Sequence, residues 1–310
     1  MNDKRIVFMG TPKFSANILE ALLTNGYNVV LCVSQPDKPV GRKKILTSSP
    51  VKMVGLSYGI DVFTPNSIKN EYQKILDYKP DLIITCAYGQ FLPKELLDAP
   101  TYKSINVHGS LLPKYRGASP VQRAIMNGED KTGITLMYMN EFMDEGDMLT
   151  QGEVSIDIND TNSSLFDKLA NLSIDMLIKF LPKLFNNDIN PIKQDNSKAT
   201  IAKIIKKDDE NIDFNRNVKD VYNHIRALLD EPGCFFICDN QKYKIHKVSF
   251  DEDSSSKPSY IYGLVDDYFK IGCIGGFIKI YDIQKESKSK MSAKDFNNGS
   301  GKNLVGKFCD

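Results

Sequence analysis

Two residues with side chains suited to hydrogen bonding and acid–base chemistry lie two positions apart in the sequence. Asn106 and His108 belong to the run Ser104-Ile-Asn-Val-His108, which is typical of a β-strand. Side chains two positions apart on a strand project to the same face, so the carboxamide and the imidazole point the same way. Gly109 permits a close turn directly afterwards. The sequence therefore predicts that the strand delivers both groups to a tight loop.

A second polar group, Asp144-Glu-Gly-Asp147, follows the sixth predicted strand. Three carboxylates around a glycine are also typical of an acidic surface turn, and spacing alone leaves that interpretation open. A calcium-binding loop is disfavoured because its 12-residue ligand spacing is absent. Open α/β sheets place ligands at the carboxyl ends of their strands, and both polar groups lie at or after the end of a predicted strand.

The first part of the chain alternates strand-like and helix-like segments, which indicates βαβ units. Strands are predicted at residues 5–9, 29–33, 61–63, 81–86, 104–108 and 133–139, and helices at 15–23, 51–56 and 68–76. Residues 35–49 are polar with two Pro and a Gly, so we expect a long loop there. The predicted class is α/β, with a Rossmann-like, mostly parallel sheet and helices on both faces. Neither GxxxxGK[ST] nor GxGxxG occurs, so nicotinamide binding is not expected.

The composition changes near residue 185, where a polar, Lys-rich stretch begins. A helix is predicted at residues 218–229, followed by five short strands at 234–238, 242–250, 259–265, 269–274 and 277–283. Short strands separated by glycine turns favour a small β-barrel or sandwich. We predict a catalytic domain at residues 1–187, a linker at 188–206 and a β-barrel domain at 207–310.

The composition is that of an ordinary globular protein, with 310 residues, 41% hydrophobic residues and a net charge of +1. These values exclude a disordered chain and a disulfide scaffold. The apolar run Ile6-Val-Phe-Met9 is too short for a signal-peptide core or a membrane span. Six scattered Cys without zinc-site spacing predict reduced structural thiols, no metal and a cytoplasmic location.

The run Asn106-Val-His-Gly-Ser-Leu-Leu-Pro-Lys-Tyr-Arg-Gly-Ala-Ser-Pro120 closely resembles the signature of the folate-dependent formyltransferases. Asp144-Glu-Gly-Asp147 is similar to the second half of their site. Among them, the chain resembles the branch that acts on methionyl-tRNA. The segments that carry this second likeness are Phe8-Met-Gly-Thr-Pro12, Gln35-Pro-Asp-Lys-Pro-Val-Gly-Arg42, Ala87-Tyr-Gly89, Leu92-Pro93 and Lys290-Met-Ser-Ala293.

The resemblance implies transfer of a formyl group from 10-formyltetrahydrofolate to the α-amino group of methionyl-initiator tRNA, for translation initiation. It makes Asn106, His108 and Asp144 the catalytic residues. Asn106 and His108 would stabilise the oxyanion that forms on attack, and Asp144 would orient His108. His108 and Asp144 would relay protons, and the sequence leaves open which group takes the first one.

The same resemblance suggests binding residues and a monomeric enzyme with an OB-like second domain. We expect the folate to lie against a turn and a strand end, at Ser110, Leu111, Leu112, Pro113, Cys86, Tyr88 and Gln90. We expect the tRNA to contact basic side chains at Arg42, Lys43, Lys44, Lys206 and Lys207. Salt-sensitive contacts from Lys and Arg to phosphates suit this partner, although neither domain is basic overall.

Three alternatives stay open from the sequence. A formyltransferase of the same fold could act on an amino sugar or on a purine ribonucleotide. A catalytically silent RNA-binding protein is the third. The second domain argues against a purine enzyme, and the intact Asn106, His108 and Asp144 argue against a silent protein.

Overall fold

The structure is a computed structural model that describes residues 3–41 and 44–310. The chain divides into two compact units. The first contains the described residues up to 117 together with 132–154 and 166–201, and the second contains 118–131, 155–165 and 202–310. Two short segments from the predicted catalytic domain therefore pack with the C-terminal residues. The three-part division at residues 187 and 206 stays a prediction.

The elements up to residue 185 follow the predicted alternation of strands and helices. In chain order they are β1 Ile6–Gly10, α1 Lys13–Thr24, β2 Val29–Val33, β3 Lys38–Val40, β4 Ile45–Thr47, α2 Pro50–Ser57, β5 Val62–Phe63, α3 Ile68–Glu71, α4 Gln73–Leu76, β6 Leu82–Cys86, α5 Lys94–Asp98, β7 Ser104–His108, α6 Pro120–Met126, β8 Lys131–Tyr138, β9 Met148–Ser155 and α7 Asn162–Phe185. Helix α6 belongs to the second unit.

The seven-stranded sheet of the first unit has the order β5-β2-β1-β6-β7-β8-β9. Neighbouring strands from β5 to β7 are parallel, whereas β8 is antiparallel to β7. Val7 and Met9 belong to one hydrophobic cluster, and Ile6 and Phe8 between them are equally inaccessible to solvent. Both faces of β1 are therefore covered, as expected for a parallel sheet with helices on both faces. The predicted α/β class with a mostly parallel sheet is confirmed.

The segment predicted as a long loop at residues 35–49 instead contains a two-stranded hairpin. Strands β3 and β4 pair in antiparallel register, with Val40 opposite Ile45. Gly41 follows β3 and Lys44 precedes β4, with φ values of +71° and +49°. The prediction of a loop was wrong because it followed the polar composition of residues 35–49 as a whole. The three residues Ile45-Leu-Thr47 have β propensity, but such a short run did not stand out within that stretch.

The second unit is built on an antiparallel sheet. Its elements after α7 are α8 Val218–Leu228, β10 Cys234–Cys238, β11 Gln241–Glu252, β12 Ile261–Val265, β13 Tyr268–Cys273, β14 Gly276–Lys285, β15 Met291–Ser292 and α9 Ala293–Asn298. The strand order is β10-β11-β14-β13-β12, and β15 pairs with β14. Alternate residues such as Ile278 and Ile280 enter the core, which also contains α8 residues such as Ile225. The predicted C-terminal β domain is confirmed.

All six cysteines are buried free thiols. Burial raises the pKa of each of them, and for Cys32, Cys86 and Cys273 the value is about 12. Among the residues that the structure describes, no cluster of His, Cys, Asp or Glu could hold a metal ion. In the same residues, no helix is long and apolar enough to cross a membrane.

The native protein should therefore resist modification by an aromatic disulfide reagent at pH 8. Each thiol stays protonated there and out of reach of the reagent, and only a thiolate attacks a disulfide. All six should react once the chain is denatured. Spectrophotometric titration with and without denaturant measures both numbers, and rapid reaction of a native thiol would contradict the buried placement.

Candidate active site

Asn106 and His108 lie on β7, a central strand of the first unit's sheet. Thr85 of β6 pairs with Asn106 in the sheet register and donates a hydrogen bond from Oγ1 to Asn106 Oδ1 over 2.9 Å. Because the amide oxygen of Asn106 accepts this bond, its amide N–H groups point away from Thr85 and can donate to another group. Its Nδ2 lies 3.5 Å from Asp144 Oδ1.

The imidazole of His108 is held between a backbone carbonyl and a carboxylate. Nε2 lies 2.9 Å from the carbonyl oxygen of Tyr115, and Nδ1 lies 3.6 Å from Asp144 Oδ2. A carbonyl can only accept, so Nε2 carries the hydrogen of that bond. The ring is 5% exposed. Nδ1, on the side of Asp144, is therefore the nitrogen that can act on a substrate.

Asp144 reaches His108 from a loop that turns back along the sheet. Since β8 is antiparallel to β7, its carboxyl end lies beside the beginning of β7, with Tyr138 opposite Ile105. The loop after β8 must therefore return toward His108. Asp144 has a left-handed backbone, φ +53°, a conformation in which aspartate is enriched among non-glycine residues. Its Oδ2 accepts a hydrogen bond of 2.8 Å from the backbone N–H of Gly117.

The carboxylate of Asp144 thus links the three predicted catalytic residues. One oxygen faces the amide of Asn106, and the other faces the ring of His108. The arrangement supplies an amide donor, an imidazole and a carboxylate at the end of one strand. Such a set can donate to a developing oxyanion and can move a proton.

A buried arginine lies beside this set. Arg116 is 3% exposed, and its guanidinium contacts Glu145 Oε1 at 3.1 Å, Gln194 Oε1 at 2.8 Å and Asn196 Oδ1 at 2.7 Å. Glu145 is the neighbour of Asp144, whereas Gln194 and Asn196 come from the stretch predicted as a linker. The arginine therefore joins the loop of Asp144 to a distant part of the chain.

In the turn predicted to hold folate, several polar groups already form hydrogen bonds within the protein. Ser110 is fully buried, and its Oγ donates to Lys114 O over 2.7 Å. The N–H of Leu112 donates to Thr135 Oγ1, and the carbonyl of Leu112 accepts from Gln151. Ser110, Leu111, Leu112 and Pro113 lie next to the catalytic strand, but the Leu112 N–H and carbonyl already have partners in the protein. A folate contact by this turn stays a prediction.

The other predicted folate residues lie at the end of β6 or directly after it, and their side chains turn inward. Cys86 is fully buried, Tyr88 is 4% exposed, and Gln90 Oε1 accepts from the N–H of Ile68. Burial raises the pKa of Tyr88 above its usual value, so its hydroxyl stays neutral. Within the described residues this hydroxyl has no hydrogen-bond partner.

The backbone between these side chains is exposed and suits a flat heteroaromatic ring. Ala87 and Gly89 have φ values of +47° and +91°, and both are exposed. Across residues 3–41 and 44–310, no backbone partner bonds the N–H or carbonyl of either one. Phe91 follows with 74% of its surface exposed. These backbone groups beside an exposed aromatic ring suit the hydrogen-bonding head of a folate.

The predicted tRNA residues fall into both units. Arg42 and Lys43 lie outside the described residues. Lys44 is exposed in the hairpin of β3 and β4 in the first unit. Lys206 and Lys207 are exposed in the second unit, at the start of a 3-10 turn. Their contacts with RNA stay predictions.

Four residues that support the site were not predicted from the sequence: Thr85, Arg116, Gln194 and Thr200. The Oγ1 of Thr200 accepts a hydrogen bond of 2.8 Å from the N–H of Tyr115, whose carbonyl contacts His108. Thr85 gives no signal because it lies within an apolar strand, and only the sheet register brings it to Asn106. Gln194 and Thr200 belong to a polar stretch whose composition predicts a solvated linker. Arg116 lies within the run that resembles the family signature, but its near-complete burial was not predictable from its residue type.

Comparison with known proteins decides the family. Residues 4–181 match the family model described as formyl transferase, and residues 204–301 match the model described as formyl transferase, C-terminal domain. The chain belongs to the formyl transferase family. A protein named methionyl-tRNA formyltransferase from Ligilactobacillus salivarius is 44% identical over 306 residues, which are 96% of each chain. One from Bacillus mycoides is 45% identical over 303 residues, with the same coverage.

Solved structures share the fold of this formyl transferase at lower identity. HypX from Aquifex aeolicus in complex with tetrahydrofolic acid has a TM-score of 0.69 and 17% identity, over 98% of this chain and 48% of that one. The N-formyltransferase from Helicobacter canadensis in complex with folinic acid and dTDP-3-aminofucose has a TM-score of 0.66 and 22% identity, over 91% and 99%. At these identities the likeness is one of fold.

Proposed function

We propose that this formyl transferase moves the formyl group of 10-formyltetrahydrofolate to the α-amino group of methionyl-initiator tRNA, for translation initiation. The observation that supports it most is the meeting of Asn106, His108 and Asp144 at the end of β7. Relatives named methionyl-tRNA formyltransferase match nearly the full length of the chain. Such a reaction belongs in the cytoplasm, and we expect a monomeric enzyme.

The three residues have separate tasks in this reaction. The bound folate supplies a formyl carbon that an amine can attack. Asn106 donates from Nδ2 to the formyl oxygen as negative charge develops there. His108 Nδ1 and the Asp144 carboxylate are the groups that can take a proton from the attacking amine. His108 can then return that proton to the folate nitrogen as its bond to the formyl carbon breaks.

We assign the pterin head to the backbone of residues 87–89, which follows β6. Thr85 pairs with Asn106, so the residues that follow Thr85 come to lie beside His108. Free backbone donors and acceptors can bond the edge of a heteroaromatic ring, and the exposed ring of Phe91 can cover an aromatic part of the donor.

We assign tRNA contacts to each unit separately. In the first, the hairpin of β3 and β4 presents Lys44 together with Val40, Ile45 and Leu46, whose exposed fractions are 57%, 62% and 68%. In the second, lysine ammonium groups lie over aromatic rings of the antiparallel sheet. These pairs are Lys247 with Tyr281 and Lys270 with Tyr262. Lysines among aromatic rings can contact both the phosphates and the sugar–base surface of RNA.

Replacing Arg42 by alanine should raise the KM for tRNA and weaken its salt dependence. A lost phosphate contact reduces the slope of log affinity against log salt concentration by about one. Initial rates from low to high KCl measure that slope. The matched control is Lys69→Ala, which removes an exposed charge from α3. An unchanged KM for tRNA in the Arg42 variant would exclude the contact.

Acceptor competition tests the proposed substrate against the amino-sugar alternative. The purified protein is mixed with 10-formyltetrahydrofolate labelled in the formyl group, methionyl-tRNA and an amino-sugar nucleotide. We expect the label on methionyl-tRNA alone. Label on the sugar amine would place the chain with the sugar enzymes that share its fold. No label on any acceptor, with a donor that a known enzyme can use, would contradict formyl transfer.

A further inference from the structure

Residues 192–201, within the predicted linker, hydrogen-bond to both loops of the candidate active site, and we name them the bracing segment. Thr200 holds the first loop. Its carbonyl accepts from the N–H of Arg116 over 2.8 Å, and its Oγ1 accepts from the N–H of Tyr115 over 2.8 Å. Tyr115 in turn provides the carbonyl that His108 contacts. The segment therefore supports the backbone that orients the imidazole.

Gln194 of the same segment holds the second loop. Its Nε2 donates to the carbonyls of Asp144 and Gly146, each over 2.8 Å. Its Oε1 accepts two hydrogen bonds from Arg116, of 3.0 and 2.8 Å. Since guanidinium only donates and carbonyls only accept, the amide of Gln194 can satisfy these partners in one orientation alone.

The ends of the segment are tied to the same unit. Ile192 and Met148 exchange two backbone hydrogen bonds of 2.8 Å, directly after the loop of Asp144. Ile201 forms a parallel bridge with Arg116. A segment fixed at both ends and bonded in the middle has little freedom to move away from the two loops.

The position of Asp144 depends on this support. Its left-handed backbone is held by Gln194 at the carbonyl, and its carboxylate meets His108 and the N–H of Gly117. A displacement of about 1 Å in such a set is enough to cost about 10²-fold in rate. We propose that the bracing segment positions the catalytic groups, with Gln194 and Arg116 as positioning residues that hold Asp144 against His108.

This inference rests on the proposed formyl transfer, and three variants of the full-length chain test it. Gln194→Met removes all four hydrogen bonds and keeps the length of the side chain. Gln194→Glu keeps an acceptor for Arg116 but cannot donate to the two carbonyls. The control is Lys193→Met, an exposed neighbour within the same segment.

Each variant is assayed for kcat, for the KM of both substrates and for its melting temperature. We expect both Gln194 variants to lose about 10- to 100-fold in kcat while each KM stays within about threefold, because positioning acts on the reacting groups. Lys193→Met should keep the wild-type kcat. A purely structural role would instead lower the folded fraction, and the rate per folded molecule would stay constant.

Two results would overturn the inference. One is a wild-type kcat in either Gln194 variant. The other is a loss that disappears when the rate is divided by the folded fraction. If the wild-type protein itself fails to transfer formyl to methionyl-tRNA, the proposed function fails instead, so the two failures are distinguishable.

Discussion

Replacing His108 by alanine should lower kcat by about 10²- to 10⁴-fold, the range usual for acid–base and oxyanion-stabilising groups. The ring is buried between the Tyr115 carbonyl and the Asp144 carboxylate, and Nδ1 is its nitrogen that can act on a substrate. Alanine removes the only imidazole placed beside Asn106 in the described chain. Steady-state rates with saturating folate and tRNA measure the effect.

The KM values should change far less than kcat in this variant, because the imidazole acts at the reacting carbon and not on the bulk of either substrate. His246→Ala is the matched control. That histidine lies on β11 in the second unit, where its Nε2 is 3.0 Å from Gln284 Oε1. Turnover near the wild-type value with His108→Ala would remove His108 from the mechanism.

Asp144→Asn should also lower kcat by about 10²- to 10⁴-fold. Asparagine is nearly isosteric and can still accept the hydrogen bond from the Gly117 N–H, so the loop should keep its conformation. What is lost is the negative charge that faces Nδ1 of His108. The substitution therefore separates the charge of the carboxylate from its part in holding the loop.

Asp147→Asn is the control for this prediction. It removes another carboxylate from the same loop, and the carboxylate that faces His108 is that of Asp144. Rates and melting temperatures of the two variants are compared with those of the wild type. If Asp144→Asn keeps the wild-type kcat, as Asp147→Asn should, the charge of Asp144 is not used in catalysis. A large loss of thermal stability in Asp144→Asn would mean that the carboxylate stabilises the conformation of the loop and that the change in kcat follows from its disruption.

The sequence predicted the fold well where a pattern reports burial directly. The apolar runs that became β2 and β6 indicated buried strands of a parallel sheet, and the short strands separated by glycine turns indicated a second, β-rich domain. The hairpin of β3 and β4 was missed because it is exposed on all six residues, so its composition resembles that of a loop.

The candidate site was predictable where its residues are close in sequence. Asn106 and His108 share a strand, and strand periodicity alone places them on one face. The partners of these residues were not predictable in the same way. Thr85 reaches Asn106 through a sheet register, and Gln194 reaches Asp144 across 50 positions. Hydrogen bonds of this kind depend on tertiary structure, which local composition does not encode.

The most direct test of formyl transfer is a single-turnover reaction with enzyme in excess over methionyl-tRNA. Formylmethionine recovered from the tRNA and tetrahydrofolate released from the donor are measured in the same quenched samples. Transfer to the amine predicts that both appear in equal amounts and at the same rate. Tetrahydrofolate and free formate without formylmethionine, or no release of tetrahydrofolate at all, would contradict it.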